Sequence, residues 1–443
     1  MKRNLSSFLF LLFILPVFFQ ITKLQAQNPS WSAMGAGLNN GGTSTLLYNN
    51  ELYAGGYFTQ ADGNPASHIA KWDGASWSSI GQGMNGGVLC MAVYNNELYA
   101  AGSFTIADGS LARHIAKWNG NHWDTVGYGI LGTVYGMMVY NNELYVCGEI
   151  TQAGHVPVNN IARWNGSSWS AVGTGLTAQG FSRADCMEVL NNKLYVGGYF
   201  EDAGGSPANN MAEWNGNSWA ATGEGLQGEV YCLEIFKGKL FAAGYFFFTG
   251  NLYPAHNLAS WNDTLWTGAG SGTNSWINSI FAYGSNLYLG GSFVNAGGNP
   301  AANIAVYDGS NYAALGTGVN DEVSSIVADD GIVYAAGLFT IAGSNAAAHI
   351  AKWSDPGTGF GEASAISAIT VFPNPSNGLF RISGMSATEK KIEVFSMNGG
   401  LALSLFTKSE NAEIDLRNFA EGIYWYRILE NGTTLASGKM ISN

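Results

Sequence analysis

Apolar and polar positions alternate with a period of two over short runs. Between residues 88 and 127 the runs "VLCMAVY", "LYAAGSF", "HIAKW" and "HWDTVG" follow one another. Alternation over four to eight residues marks a half-buried strand. The pairs Asn95-Asn96 and Asn119-Gly120 separate these runs, and such residues accept the left-handed dihedrals of tight hairpins. The stretch therefore predicts four antiparallel strands joined by short turns.

The same unit recurs. Most of "YNNELYAGGYFTQADGNPASHIAKWDGASWSSIGQGM" returns 46 residues later, and Trp31, Trp77, Trp123, Trp169, Trp219, Trp266 and Tyr312 lie 46, 46, 46, 50, 47 and 46 residues apart. Leu52, Leu98, Leu144, Leu194, Leu240, Leu287 and Val333 keep the same phase. The extra residues fall in "LTAQGFSRAD" and "FFTGNLYPAHN", between periodic runs, as loop insertions do. A four-stranded sheet with two apolar faces cannot bury both alone, and stacking such sheets radially hides them. The expectation is an all-β, seven-bladed β-propeller of four-stranded blades. Its last unit stops at Trp353 without a fourth strand, while "WSAMGAG" from Trp31 is in surplus. Trp31–Gly35 is expected beside Ile350–Trp353, closing the ring and removing exposed strand edges. A linear solenoid would need capping units, and none is visible.

Composition agrees. The 443 residues are 47% hydrophobic and 11% charged, with 60 Gly and 13% aromatic residues, the profile of many short strands and tight turns. A net charge of -12 argues against nucleic acid or an anionic surface as partner. The first residues carry Lys2 and Arg3, an apolar run from Phe8 to Phe19 broken by Pro16, and Ala26 at a place for processing. Residues 1–26 thus read as a secretory signal, with no transmembrane anchor expected in the mature chain. The domain reading continues with the propeller at 27–355, a linker at 356–366 and a further domain at 367–443.

Residues with chemistry are read against the repeat. Trp72, Trp118, Trp164, Trp214, Trp261, Tyr307 and Trp353 are expected to pack between sheets. His68, His114 and His349 share a position that Asn160, Asn210, Asn257 and Asn303 fill elsewhere, which points to a loop-holding hydrogen bond. No metal site is expected, since equivalent positions are spread around a ring. No cofactor is expected either. Calcium is the one alternative, on Asp62 and Asp108, although these loops lack the alternating oxygen donors of a dedicated calcium loop. Cys90, Cys147, Cys186 and Cys232 sit where other units carry small residues, and read as buried thiols. Cys186 and Cys232 are the pair to check for a disulfide.

Glu188 and Glu234 lie two residues beyond Cys186 and Cys232, on one strand face of neighbouring units. They are expected to line a central channel, together with Asp185. Paired carboxylates divide acid and base roles in glycoside hydrolysis, so these three are the candidate catalytic residues. The alternative for them is solvated anions. The insertions Leu176–Asp185 and Phe247–His256 are expected to carry binding residues on loops, with Phe181, Arg183, Phe248 and Tyr253 as candidates.

"WDGASW" and its counterparts are similar to the Asp box of sialidase-type propellers, but lack its leading Ser and its Asp-x-Gly spacing. The whole unit, "LYAGGYFTQADGNPASHIAKWDGASWSSIGQG", resembles the repeats of secreted Rax2-like and kelch-like propellers over Trp31–Trp353. That resemblance implies a binding or scaffolding surface and transfers no catalytic residue.

Beyond "SDPGTGFGEASA" the pattern changes to "ITVFPNPSNGLFRI", "KKIEVFSMNG", "LALSLF", "AEIDLRNFAEGIYWYRILENG" and "TTLASGKMI". These alternating strands predict a small Ig-like β-sandwich over Val371, Phe380, Ile392, Val394, Leu416 and Tyr424. The segments "FPNPSNG", "VFSMNG", "IDLRNFAEGIYWYRI" and "GKMI" resemble the type A C-terminal sorting domain of the type IX (Por) secretion system of Bacteroidetes. The resemblance implies passage through the periplasm, export by the type IX machinery as partner, and release or display at the outer cell surface. The expected function is an exported binding or adhesion scaffold for glycan or protein. The alternatives are a polysaccharide-active hydrolase or lyase and a purely structural extracellular repeat protein.

Overall fold

A computed structural model describes residues 29–354, 370–372, 376–385, 387–396, 401–419, 422–430 and 433–442. The segments read above as signal and linker, 1–26 and 356–366, lie outside the described residues.

Each repeat forms one antiparallel sheet. The first contains Gly42–Tyr48, Glu51–Gly56, Ile69–Trp72 and Trp77–Ser79 in that spatial order. The fourth contains Arg183–Leu190, Lys193–Tyr199, Met211–Trp214 and Trp219–Ala221. The fifth starts with the long hairpin Leu226–Phe236 and Lys239–Thr249, and the sixth with Ile277–Tyr283 and Asn286–Gly291. In the seventh, Val323–Asp329, Ile332–Gly337 and Ile350–Ser354 are joined by Ser30–Ala33, with Trp31 opposite Trp353.

The propeller expectation is corrected here. The protein is all-β, with several four-stranded antiparallel sheets that resemble propeller blades, but no sheet is closed into a barrel or propeller. Ladder hydrogen bonds are used up inside each open sheet, and neighbouring sheets meet through side chains and loop contacts. The strand count also differs. In the third sheet the hairpin Ile130–Tyr140 and Glu143–Ala153 runs far enough for Val156–Pro157 to pair with its end, giving five strands. In the first repeat the corresponding short hairpin, Gln60–Ala61 with Asn64–Pro65, remains a separate two-stranded sheet.

Indole hydrogen bonds tie six of the seven sheets to the preceding one, and the Tyr312 hydroxyl, donating to Ala269 O, ties the sixth. Trp77 donates to Met34 O at 3.0 Å, Trp123 to Ile80 O at 3.0 Å, Trp169 to Val126 O at 3.2 Å and Trp266 to Thr222 O at 3.1 Å. Trp31 donates to Leu315 O at 3.0 Å. These rings are buried and pair with the second tryptophan series, as Trp72 does with Trp77 at 5.5 Å. The first strands of consecutive sheets pack side by side, and those of the seventh and first sheets do so too, with Ser325 Oγ on Thr45 N at 3.0 Å.

The shared His/Asn position has a backbone cause. His68, His114, Asn160, Asn210, Asn257, Asn303 and His349 all hold φ between 62° and 71°, a left-handed region where Asn and His are enriched and branched residues are strained. In six of the seven the side chain then meets a carbonyl: His114 Nδ1 lies 3.2 Å from Gly102 O, and Asn160 Nδ2 donates to Leu176 O at 2.9 Å. Asp62 is similarly occupied, its carboxylate accepting from Ala36 N at 2.6 Å and Trp77 N at 3.0 Å. Asp108 repeats the arrangement with Gln82 N and Trp123 N. All four cysteines are free.

In the tail, Thr370–Phe372, Leu379–Ser383 and Asn411–Asp415 form one sheet, and Lys390–Ser396, Leu401–Thr407, Gly422–Glu430 and Thr433–Ser442 another. They share an apolar core containing Phe380, Ile392, Val394, Leu416 and Tyr424, with Val371 packed on it.

Candidate functional site

Every first strand of the seven sheets carries a bulge five residues before its end. The unpaired residues are Thr43, Leu89, Tyr135, Asp185, Tyr231, Asn278 and Ser324. A bulge bends the strand and re-aims the extra side chain. In the fourth sheet it turns Asp185 back toward Arg183, whose Nε lies 3.0 Å from Asp185 Oδ1. The Arg183 guanidinium also reaches Glu229 Oε2 of the fifth sheet at 3.1 Å, and Tyr231 donates its hydroxyl to the same oxygen at 2.7 Å. Tyr135 and Tyr231 flank the guanidinium, their ring centroids 5.6 and 6.0 Å away. Burial pushes the Asp185 carboxyl up to about 7 against the pull of Arg183. Burial, and then the hydrogen bond to Glu229, raise the Tyr231 hydroxyl.

Exposed aromatic side chains continue this network on both sides. Tyr199 is the cross-strand partner of Arg183 and stacks with Phe181, centroids 6.3 Å apart. Tyr245 is the cross-strand partner of Glu229, and packs edge-on against Phe247 at 5.6 Å and Trp276 at 5.9 Å. Phe181, Tyr199, Tyr245, Phe247 and Trp276 are between 38% and 51% exposed. The result is a crescent across the fourth, fifth and sixth sheets, with polar groups at its centre and open rings at its ends. At the same strand position in the first and seventh sheets, Tyr57 lies over Gly87 and Leu338 over Gly41, and both are also exposed.

The three candidate acids do not share one site. Asp185 belongs to the Arg183 network. Glu188 and Glu234 form a separate pair on adjacent first strands, about 10 Å further along by strand rise. Glu188 accepts the Val189 N–H at 2.8 Å, and burial pushes its carboxyl up to about 7. Burial, then the Glu188 charge, push Glu234 up to about 8. Among the described residues no cluster of three or more His, Cys, Asp or Glu side chains is placed to hold a metal ion.

Two loop expectations are corrected. Arg183 starts the strand Arg183–Leu190, and Phe248 lies in Lys239–Thr249, because each insertion lengthens or abuts a hairpin rather than forming a free loop. Phe248 bridges to Pro254, and both Phe248 and Tyr253 are exposed. Tyr199, Tyr245, Trp276 and Glu229 were not singled out in the sequence. The signal was present, since Tyr199 and Tyr245 repeat the tyrosine of the first unit, Tyr57, where Ser103 and Ser292 stand in two others.

Residues 370–443 match the secretion system C-terminal sorting domain, typical of surface-displayed Bacteroidetes proteins exported by the type IX system. The protein is thus secreted or displayed at the outer cell surface by way of the periplasm. Residues 191–217 match a beta-propeller domain of unknown function. No curated protein matches the chain. Among solved structures, PorZ, an essential bacterial surface component of the type IX secretion system of Porphyromonas gingivalis, is 12% identical. The match covers 93% of this chain and 60% of PorZ, with a TM-score of 0.46. The computationally designed Ika8 protein is 12% identical over 73% of this chain and 99% of its own, with a TM-score of 0.45. The WD40 beta propeller domain of Doa1 is 11% identical over 73% and 96%, with a TM-score of 0.47. Among the described residues no helix is long and apolar enough to cross a membrane.

Proposed function

We propose that the protein is an exported binding module whose crescent on the fourth to sixth sheets engages extracellular glycan. The observation that carries this reading is the run of exposed rings at Phe181, Tyr199, Tyr245, Phe247 and Trp276, continuous with the Arg183–Glu229 pair. Aromatic faces offer flat apolar area at small entropic cost and suit the C–H face of a sugar ring. The fixed carboxylates and guanidinium offer hydrogen-bond partners to hydroxyls, the few placed polar groups that orient a ligand. In this reading residues 27–355 form the binding domain and 367–443 the export domain.

The test is a glycan array with the full chain, repeated with Trp276→Ala and Tyr199→Ala. Saturable binding that falls at least tenfold in both variants supports the reading. Binding unchanged in both, or no binding to any glycan, contradicts it.

A further inference from the structure

A second site lies at the other end of the fourth sheet's first strand, between the fourth and fifth sheets. Asn191, Lys193, Tyr195, Glu213, Trp261 and Asp263 lie in the lining of a cleft of about 500 Å³ there. The corresponding cleft between the second and third sheets, with Glu97, Tyr99, Lys117, Trp164 and Gly166, is about 80 Å³. The repeat therefore supplies an internal control, and the differences between the two clefts are few.

The first difference is charge. In the smaller cleft Lys117 pairs with Glu97 at 2.9 Å, leaving no net charge. In the larger one Lys193 pairs with Glu213 at 2.7 Å, and Asp263 adds a second carboxylate. Asp263 replaces the turn glycine of the other sheets, Gly74, Gly120, Gly166, Gly216 and Gly309, and holds φ at 68°. An aspartate kept in the left-handed region that glycine fills elsewhere puts its carboxylate on the lip of the cleft. It makes no ion pair or side-chain hydrogen bond among the described residues.

The second difference is an occupant. One gap further on, between the fifth and sixth sheets, Lys237 donates its ammonium to Asp308 O and sits over the Gly309 turn, 5.1 Å from the Phe236 ring centroid. Lys237 holds the turn position that Asn191 holds in the fourth sheet, at φ of 50° against 51°. The chain thus places a primary ammonium in one gap. In the neighbouring gap a shorter neutral residue stands at that turn, the Lys193 ammonium is held by Glu213, and Asp263 remains as one extra negative charge.

We infer that the cleft between the fourth and fifth sheets binds a primary ammonium on an aliphatic stem, with Asp263 taking the charge beside the Lys193–Glu213 pair and Tyr195 and Trp261 walling the stem. Such a group is supplied by a lysine side chain of a protein partner or by a free diamine. Calorimetry on the full chain distinguishes the two sources, using Nα-acetyl-lysine amide and cadaverine, with Nα-acetyl-norleucine amide as the uncharged control. Saturable binding of either amine is expected, weakened at least tenfold by Asp263→Gly and abolished by Asn191→Lys, which supplies the intramolecular ammonium. Binding of only the lysine amide assigns the site to a protein side chain, and binding of only cadaverine assigns it to a free amine. Asp263→Gly keeps the fold, because glycine accepts the left-handed φ without strain, and its urea midpoint should not fall. Equal binding of the norleucine amide, binding within twofold of wild type in Asp263→Gly, or no binding of either amine overturns the inference.

Discussion

Replacing Glu188 and Glu234 together by glutamine should stabilise the protein above pH 8 and leave its stability unchanged near pH 4. Burial raises Glu188 from 4.5 to about 7, and Glu234, which also feels Glu188, from 4.5 to about 8. A carboxyl whose folded value is raised binds more protons in the folded chain than in the unfolded one. Its favourable contribution is therefore complete below 4.5 and is lost as pH rises through 7 to 8. At about 1.4 kcal/mol per tenfold change in proton affinity, ionising Glu188 in place costs about 3 kcal/mol. Glu234 adds to this, less than independently, because part of its rise is repulsion from Glu188. Glutamine keeps the shape and the acceptor oxygen that takes the Val189 N–H at 2.8 Å, so the substitutions remove charge without opening a cavity. Urea denaturation followed by tryptophan fluorescence, at pH 4.0 and 8.5, gives the two differences. The double variant should gain about 3 kcal/mol or more at pH 8.5 and less than about 0.5 kcal/mol at pH 4.0. Equal differences at the two pH values, or a loss at pH 8.5, would refute the reasoning.

Two further outcomes follow from the packing. Trp31→Phe removes the indole bond to Leu315 O, which joins residues 284 apart in sequence; leaving that buried carbonyl without its donor should cost about 1–3 kcal/mol in urea denaturation, and an unchanged midpoint would contradict the role given to the indole. His114→Asn should be neutral within about 0.5 kcal/mol, because asparagine fills that position in four other sheets. His114→Val should cost about 1–3 kcal/mol, because a branched residue is strained at φ of 69°; a valine variant as stable as the asparagine one would remove the backbone explanation.

The strands were legible because each is bounded by a residue with a backbone reason to be there. Asn95-Asn96 holds φ of 49° and 61°, and Gly120 holds 96°. The spacing of the series from Trp31 to Trp266 was legible for a similar reason, since each of its indoles donates to a carbonyl of the preceding unit. The bulges left no trace. Thr43, Leu89, Tyr135, Asp185, Tyr231, Asn278 and Ser324 share no side-chain property, so the skipped residue is a backbone event that composition does not mark. Asp185 lies three residues before Glu188, so period-two counting alone does not put the two on one strand face, and the bulge gives Asp185 to Arg183. Closure was inferred from the surplus strand at Trp31; that strand does pair with Ile350–Ser354, but it completes an open four-stranded sheet, and sheet edges are settled by which backbone groups pair. The third sheet's fifth strand shows this, since Val156–Pro157 joins because the hairpin before it is long enough to reach. Of the exposed rings, Trp276 was legible as a departure from the repeat, standing where the first two units have Gly41 and Gly87, whereas Tyr199 and Tyr245 share their position with Tyr57.

The most direct test of the central claim is a crystal structure of the full chain with the tightest glycan from the array. The account predicts a sugar ring stacked on Tyr245 or Trp276, with hydroxyls bonded to Glu229 or Arg183. A sugar bound anywhere else on the protein, with the crescent empty, would contradict it.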